Sequence, residues 1–387
     1  MMNKIVVFLW AVLFAVTGLV QAELIAPGVD YRVDSVQGRN GIVKTYIIDI
    51  APDSGYTVKP VLANGGSVGL ASTSATAKAV NALAAVNASY FVMGDYAAGE
   101  IIGLLKIDGR YASAVEVPGQ KRGALAINSQ HQAAIGLSEY TGSAILADGT
   151  VVKIRNLNYL YVPVDTNGSS GSEGVVLFNS LYGNKTASNK WWTDYTITDG
   201  KISAINSGPT EIPFNGYVLS VYGLAKKQFS AVKIGDKIAI NQSSSEQFGD
   251  YRDIIGAGPI LVRRGVAVSS IYKLIERFPA DIADSCAPRT AVGLTKNGHI
   301  IMVVADGRQK NFSNGFYIDE LAGYMLALGC YQALNLDGGG SSTMVIKNKV
   351  VNSPSDNAKQ PFVGQERSVG DILAVLPVAN TTGTNSK

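Results

Sequence analysis

Asn335-Leu-Asp-Gly-Gly-Gly-Ser-Ser-Thr-Met344 is the stretch from which the rest of this chain is read. Residues 333–337 alternate, Leu334 and Leu336 to one side and Asn335 and Asp337 to the other, which is the period of a strand. Three glycines follow. Each weakens an element interior and costs backbone entropy, so three in a row mark a sharp turn with positive φ or a close approach by another group. With Ser341 and Ser342 just beyond, the turn predicts a cradle of amides from Gly338, Gly339 and Gly340 and two hydroxyls beside a carboxylate. Such a cradle suits an anion such as phosphate. A purely structural Gly-rich turn reads the same way over the glycines alone. A nucleotide P-loop is excluded, because G-x-x-x-x-G-K-[ST] is absent and no Lys follows the glycines.

The 387 residues are enough for one large domain or two, and 47% hydrophobic residues can fill a sizeable core. The net charge is only +3, with no basic stripe, so a nucleic-acid partner is not expected. Val, Ile, Thr and Tyr recur in short runs between turns, a composition that leans toward strands. The expected fold class is α+β: a strand-rich domain of mixed and antiparallel twisted sheets with a few packed helices. Met1 to Ala22 has a positive start at Lys4, an apolar run and small residues at its end. It reads as a cleaved secretory signal peptide rather than a membrane anchor, the run being short for a span. A secreted or periplasmic protein with no stable membrane insertion follows. Cys286 and Cys330 then predict one disulfide, two separate buried thiols being the alternative.

Along the chain, Gly41 to Ile50 is strand-like. Ser72 to Val86 begins at helical spacing, with Ser72, Thr73 or Ser74 as cap, and returns to a strand at Ala84. Between Gly123 and Gly256, Asp148-Gly149, Asp199-Gly200, Asn215-Gly216 and Gly235-Asp236 separate short alternating segments. Turns at this spacing predict antiparallel hairpins, so 123–256 reads as a β-rich insertion within a single domain spanning 23–378. Asn167 to Gly174 is the candidate mobile tip, and 379–387 reads as a disordered tail. Ser269 to Ala283 is predicted helical with a break near Pro279, Asn297-Gly298 turns a hairpin, and Asp319 to Leu328 is a helix closed by Gly329.

Histidine, the usual acid/base group near neutral pH, occurs only at His131 and His299. Ser–His–Asp triads, H-E-x-x-H and paired C-x-x-C motifs are unsupported. Carboxylates, arginines and hydroxyls remain, the groups that cleave a glycosidic bond. Asp306 and Asp337 both follow apolar strand patterns and both precede Gly; neighbouring strands would bring them into one cleft. Arg289 and Arg308 are suited to bidentate contacts with phosphate oxygens. No metal or other cofactor is expected, although Glu100, Asp306 and Asp337 would suit Ca²⁺ if they converged.

The full run Asn335 to Ser341 resembles the Asn-Leu-Asp-Gly-Gly-Gly-Ser core of the phosphodiester glycosidase family. The resemblance extends, in order, to Asn87-Ala-Ser-Tyr-Phe91, Glu100 with Gly103, Ile255 to Gly265, Arg289-Thr290-Ala291-Val292-Gly293, Ala305-Asp306-Gly307, Asn352 to Asp356 and Arg367. The β-rich insertion resembles the bacterial branch of that family. It implies a hydrolase that cleaves a GlcNAc-like sugar from a phosphodiester on envelope or extracellular phosphoglycans. Glu100, Asp306 and Asp337 would be the catalytic candidates. Asn87, Arg289, Thr290, Gly338 to Gly340, Ser341, Ser342 and Arg367 would bind substrate or phosphate. The alternative is a non-catalytic envelope glycan-binding protein using the same cradle, with loops such as Lys190-Trp-Trp192 as its contact surface.

Overall fold

The computed structural model describes residues 22–94, 97–115, 121–160, 173–356 and 365–378. All of the expected leader except Ala22, the tail 379–387 and most of the 167–174 loop lie outside the described residues. An eight-stranded sheet runs in the order Glu23–Ala26, Val29–Gly38, Gly41–Ile50, Ile300–Ala305, Arg289–Thr295, Cys330–Asn335, Ile260–Arg263, Val266–Ala267. Every neighbouring pair is antiparallel.

Strand alternation sorts this sheet's residues into two cores. Ile47, Ala291, Ile301, Val303, Ala305 and Ala333 face the helix Ile318–Ala327, which buries Leu321, Ala322, Tyr324 and Met325 against them. That helix starts where Glu320 accepts a 3.1 Å hydrogen bond from the Tyr317 amide and stops at Gly329, whose φ is +85°. Ile48, Val292, Leu294, Met302, Val304 and Leu334 face the other way, onto a five-stranded sheet. Its order is Lys349–Val350, Met344–Ile346, Ala84–Asn87, Asp371–Pro377, Tyr56–Leu62. The helix Thr73–Ala79, whose cap Ser72 accepts from Ala75, leads into this layer.

A ten-stranded mixed sheet built from residues between Leu105 and Gly256 has a separate core around Leu157, Leu177, Leu219, Val221 and Phe229. Leu105–Ile107 and Arg110–Val115 belong to this sheet, so the β-rich unit begins before residue 123.

The expected disulfide is corrected: Cys286 and Cys330 are free thiols. The register pairs Cys330 with Thr295 at one end of Arg289–Thr295, whereas Cys286 precedes the other end. Along that strand the separation is roughly 20 Å at ~3.3 Å per residue, and a disulfide needs Cα atoms within about 7 Å. Cys330 instead sits in the core cluster with Met325, its sulfur filling the space a Cβ on Gly293 would need, and Cys286 lies against the carbonyls of Asn314 and Gly315.

Candidate active site

The glycine turn sits where three central strands end. Cys330–Asn335 delivers Asp337, Arg289–Thr295 begins beside it, and Ile300–Ala305 ends at Asp306. Leu336 donates to the Thr290 carbonyl and Gly339 to the Pro288 carbonyl, each at 2.9 Å, so the turn is stitched to the start of the Arg289 strand. Two of the three cradle amides are thereby turned inward: Gly338 donates to Asp337 Oδ1 at 2.9 Å and Gly339 to Pro288. The next two residues close a short 3₁₀ turn. Gly339 has φ +64°, and a Cβ on Gly340 would overlap the Asp356 carboxylate and the Arg367 guanidinium. At these two positions glycine is required by backbone conformation and by close approach respectively.

A cleft of ≈ 400 Å³ opens over this turn. Asp337, Gly338, Gly339, Gly340, Arg289 and Arg367 line it, together with Tyr90, Phe91 and Arg308. Of the three expected catalytic carboxylates, only Asp337 reaches the cleft. Asp306 lies two strands away, because Arg289–Thr295 separates the strands that carry the two acids. Asp306 is buried and accepts from Asn352 Nδ2 at 2.9 Å and from the Ser353 amide at 3.1 Å. Glu100 is also fully buried and accepts from the Leu160 amide at 2.9 Å and the Tyr182 hydroxyl at 3.3 Å, which ties it to the ten-stranded unit.

The buried polar residues behind the turn form its backing. Asn87 donates to the Asp337 carbonyl at 2.6 Å and accepts from Thr290 Oγ1 at 2.7 Å and the Thr343 amide at 3.2 Å. Thr290 also donates to Ser342 Oγ at 3.2 Å. Ser341 is fully buried beside Asp337. Its hydroxyl favours the ionised acid, although its Oγ has no hydrogen-bond partner of normal geometry among the described residues. Asn87, Thr290, Ser341 and Ser342 thus position the turn from beneath.

The three arginines differ. Arg289 is buried, and its guanidinium donates to the carbonyls of Phe316 (3.0 Å), Ile282 (3.1 Å) and Ser285. Burial lowers its pKa. Arg367 is half-buried and grips Asp356 Oδ1 at 2.6 Å. Arg308, in the left-handed region at φ +60°, is exposed, and its guanidinium lies over Gly339 with no protein hydrogen bond or ion pair among the described residues. Among the described residues it is the arginine of the cleft that no protein acceptor engages, which leaves its planar fork of donors suited to an anion.

Desolvation pushes the Asp337 carboxyl up to about 6, against the pull of Ser341, the Gly338 amide and Arg367. Asp306 rises to about 6 for the same cause. The sequence reading missed two further acids. Asp371, fully buried, accepts from the Ser89 amide and hydroxyl, both at 2.8 Å, and is pushed up to about 6, first by burial, with Asp337 adding to the rise. Glu276 accepts from Gly123 at 2.7 Å and Ile260 at 2.8 Å and rises to about 7 through burial. Neither is flanked by a sequence signal: Asp371 follows one glycine at a strand start, and Glu276 ends a short helix. Tyr90 was legible only as part of the Asn87–Phe91 segment; its hydroxyl meets Gly258 O at 3.0 Å and Asn335 Nδ2 at 2.9 Å. Neither histidine lines the cleft; His299 pairs with Asp49 at 2.7 Å beyond the opposite end of the Arg289–Thr295 strand. Among the described residues no group of three or more His, Cys, Asp or Glu converges to hold a metal ion.

Fold and site define a strand-rich α+β protein whose cleft sets one elevated carboxylic acid among guanidinium groups. Residues 193–376, just under half of the chain, match the model of the phosphodiester glycosidase family. It is 35% identical over 88 residues to an uncharacterised SPbeta prophage-derived protein of Bacillus subtilis strain 168. It is 32% identical over 87 residues to human N-acetylglucosamine-1-phosphodiester alpha-N-acetylglucosaminidase. These matches cover 23% and 22% of the chain, and only 12% and 16% of the relatives' own lengths. Over 94% of the chain the fold follows that of a Burkholderia pseudomallei protein, with 97% of that protein covered, a TM-score of 0.79 and 20% identity. A hypothetical protein from Synechocystis matches over 93% of this chain and 64% of its own, with a TM-score of 0.78 and 22% identity.

Proposed function

We propose that the cleft hydrolyses the bond between the anomeric carbon of a GlcNAc-like sugar and a phosphodiester oxygen, on envelope or extracellular phosphoglycans. The observation that carries this reading is the placement of Asp337, its carboxyl pushed up to about 6, on a cleft where Arg308 has no side-chain partner among the described residues. In the reaction the C1–O bond breaks, water oxygen bonds to C1, and free sugar and a phosphomonoester leave. A phosphomonoester is weakly basic, with a second pKa near ~6, so its departure needs charge stabilisation more than protonation. Arg308, backed by Arg367, serves that end of the substrate. Asp337, ionised above about pH 6, faces the sugar end, where an oxocarbenium-like charge develops and water must be activated. Arg289 holds Ile282 and Ser285, which wall the cleft, together with the Phe316 backbone. Asp306 and Glu100 act as scaffold through the hydrogen bonds that bury them.

The leader pattern of Met1 to Ala22 supports export, to the periplasm or outside the cell. Among the described residues no helix is long and apolar enough to cross a membrane.

The test is release of free sugar from UDP-N-acetylglucosamine and a panel of sugar-1-phosphodiesters. Wild type should turn over, and Asp337→Asn should lose about a thousandfold or more in kcat, with a Tm at pH 5 close to wild type. Turnover surviving Asp337→Asn would remove this assignment. Absence of turnover on the whole panel, with binding retained, would favour the glycan-binding alternative. Activity is expected to persist after dialysis against a chelator.

A further inference from the structure

The helix Ser269–Ile275 packs on the strand Ile260–Arg263 near one edge of the eight-stranded sheet, with its polarity reversed. A surface helix ordinarily turns apolar residues to the core and polar ones to water. Here the buried positions are Ser269 and Tyr272, with Glu276 at the C-cap. Ile271, Leu274 and Ile275 are 58%, 73% and 47% exposed, and their i, i+3, i+4 spacing puts them on one face. Val266, on the edge strand that leads into the helix, is 54% exposed. The inner side is anchored. Arg263 donates to the Tyr272 hydroxyl at 2.6 Å, and the Glu276 carboxylate accepts from the Gly123 and Ile260 amides. The bonds that fix the helix thereby hold an apolar ridge in water, and such a ridge marks a contact surface.

The charges around the ridge select its occupant. Arg264 precedes it and Arg277 follows it, both exposed and neither in a hydrogen bond or ion pair among the described residues. Both hold a left-handed backbone, φ +53° and +52°, where glycine or asparagine is the ordinary occupant. Local conformation therefore does not account for an arginine at either place. Of the nearby acids in the chain, Glu276 is buried, Asp284 pairs with Lys273 and Asp281 lines the glycine-turn cleft. A two-fold contact with a second copy would set these arginines against their own counterparts. Anionic headgroups over hydrocarbon answer both the charge and the apolar face.

We propose that the segment from Arg264 to Arg277 is a docking surface for an anionic phospholipid bilayer. Val266, Ile271, Leu274 and Ile275 enter the boundary between headgroups and acyl chains, and the arginines meet lipid phosphates. Beyond Arg277 the chain enters the wall of the cleft: the Phe278 ring lies 5.6 Å from that of Tyr90, and Asp281 and Ile282 line the opening. Docking would hold that opening close to the lipid surface. The binding stands whether or not the cleft is hydrolytic.

The experiment floats the full chain with vesicles of equal parts phosphatidylcholine and phosphatidylglycerol, and uses hydrogen exchange to locate the contact. Bound protein should gain protection over residues 264–277. Leu274→Glu, and separately Arg264→Glu combined with Arg277→Glu, should each weaken binding about tenfold or more. Their Tm should stay near wild type, because these side chains are exposed. Phosphatidylcholine alone should bind more weakly by a similar factor, and Asp337→Asn should bind as wild type does. No binding, protection confined to other segments, or binding indifferent to both sets of substitutions overturns the proposal. A lipid-free dimer that Leu274→Glu dissociates would assign the ridge to a second copy and also overturns it.

Discussion

The guanidinium of Arg289 donates to three backbone carbonyls, whereas that of Arg308 meets none among the described residues. In sequence both suited phosphate and the family resemblance favoured Arg289; one arginine before a Thr and one after a Gly carry no information about which is engaged. Substitution should separate them. Arg289→Ala strands three buried acceptors at roughly 1 kcal/mol or more apiece. It should lower stability by about 3 kcal/mol, read as a reduced denaturation midpoint. Arg308→Ala should leave that midpoint within about 0.5 kcal/mol and lower kcat/KM for a sugar phosphodiester by roughly 100-fold. Equal stability of the two variants would contradict the division. Asp337 was legible because its Asp-Gly-Gly-Gly context is local. Asp371 was not, because what makes it notable is Ser89, 282 positions away.

The glycine turn is the element on which the site depends, and its three glycines serve different ends. Gly339 supplies a left-handed φ, while Gly340 leaves room for the Asp356–Arg367 pair. Gly340→Ala would force that pair aside, so we expect a protein that still folds, with activity down about tenfold or more and thermal unfolding a few degrees lower. Wild-type activity in Gly340→Ala would show that the pair tolerates displacement. The strands on either side were readable from their period, as were the helix at Ile318–Ala327 and the Asn297-Gly298 hairpin. The strand Ile300–Ala305 was also readable, but its neighbour was not. Alternation reports which face a residue takes and is silent on which strand lies alongside. That is why Asp306 was expected beside Asp337, and why the intervening Arg289–Thr295 strand moved it out of the cleft.

Across the whole molecule, burial lifts Asp306, Asp337 and Asp371 to about 6 and Glu276 to about 7. Unfolded, these groups titrate near 4. Between about pH 4 and 7 the folded protein therefore holds more protons than the unfolded chain, so its stability falls as pH rises through that window. Tm should be higher at pH 5 than at pH 7.5, by roughly 5 °C, and Asp371→Asn should flatten the slope. A Tm that rises between those pH values would show that these carboxyls are not held protonated. Activity should move oppositely, gaining with pH through about 6 as Asp337 ionises. By itself the sequence determined what short-range geometry encodes: the strand-rich α+β class, the turn and its acid, and the residues that accompany them. Tertiary structure alone decided which acid reaches the cleft, which arginine lacks a partner among the described residues and that the two thiols stand apart. Those outcomes depend on strand order and on contacts such as Asn87 with Thr290, 203 positions distant. Local sequence periodicity records only which face each residue takes, whereas burial and pairing are properties of the assembled sheets.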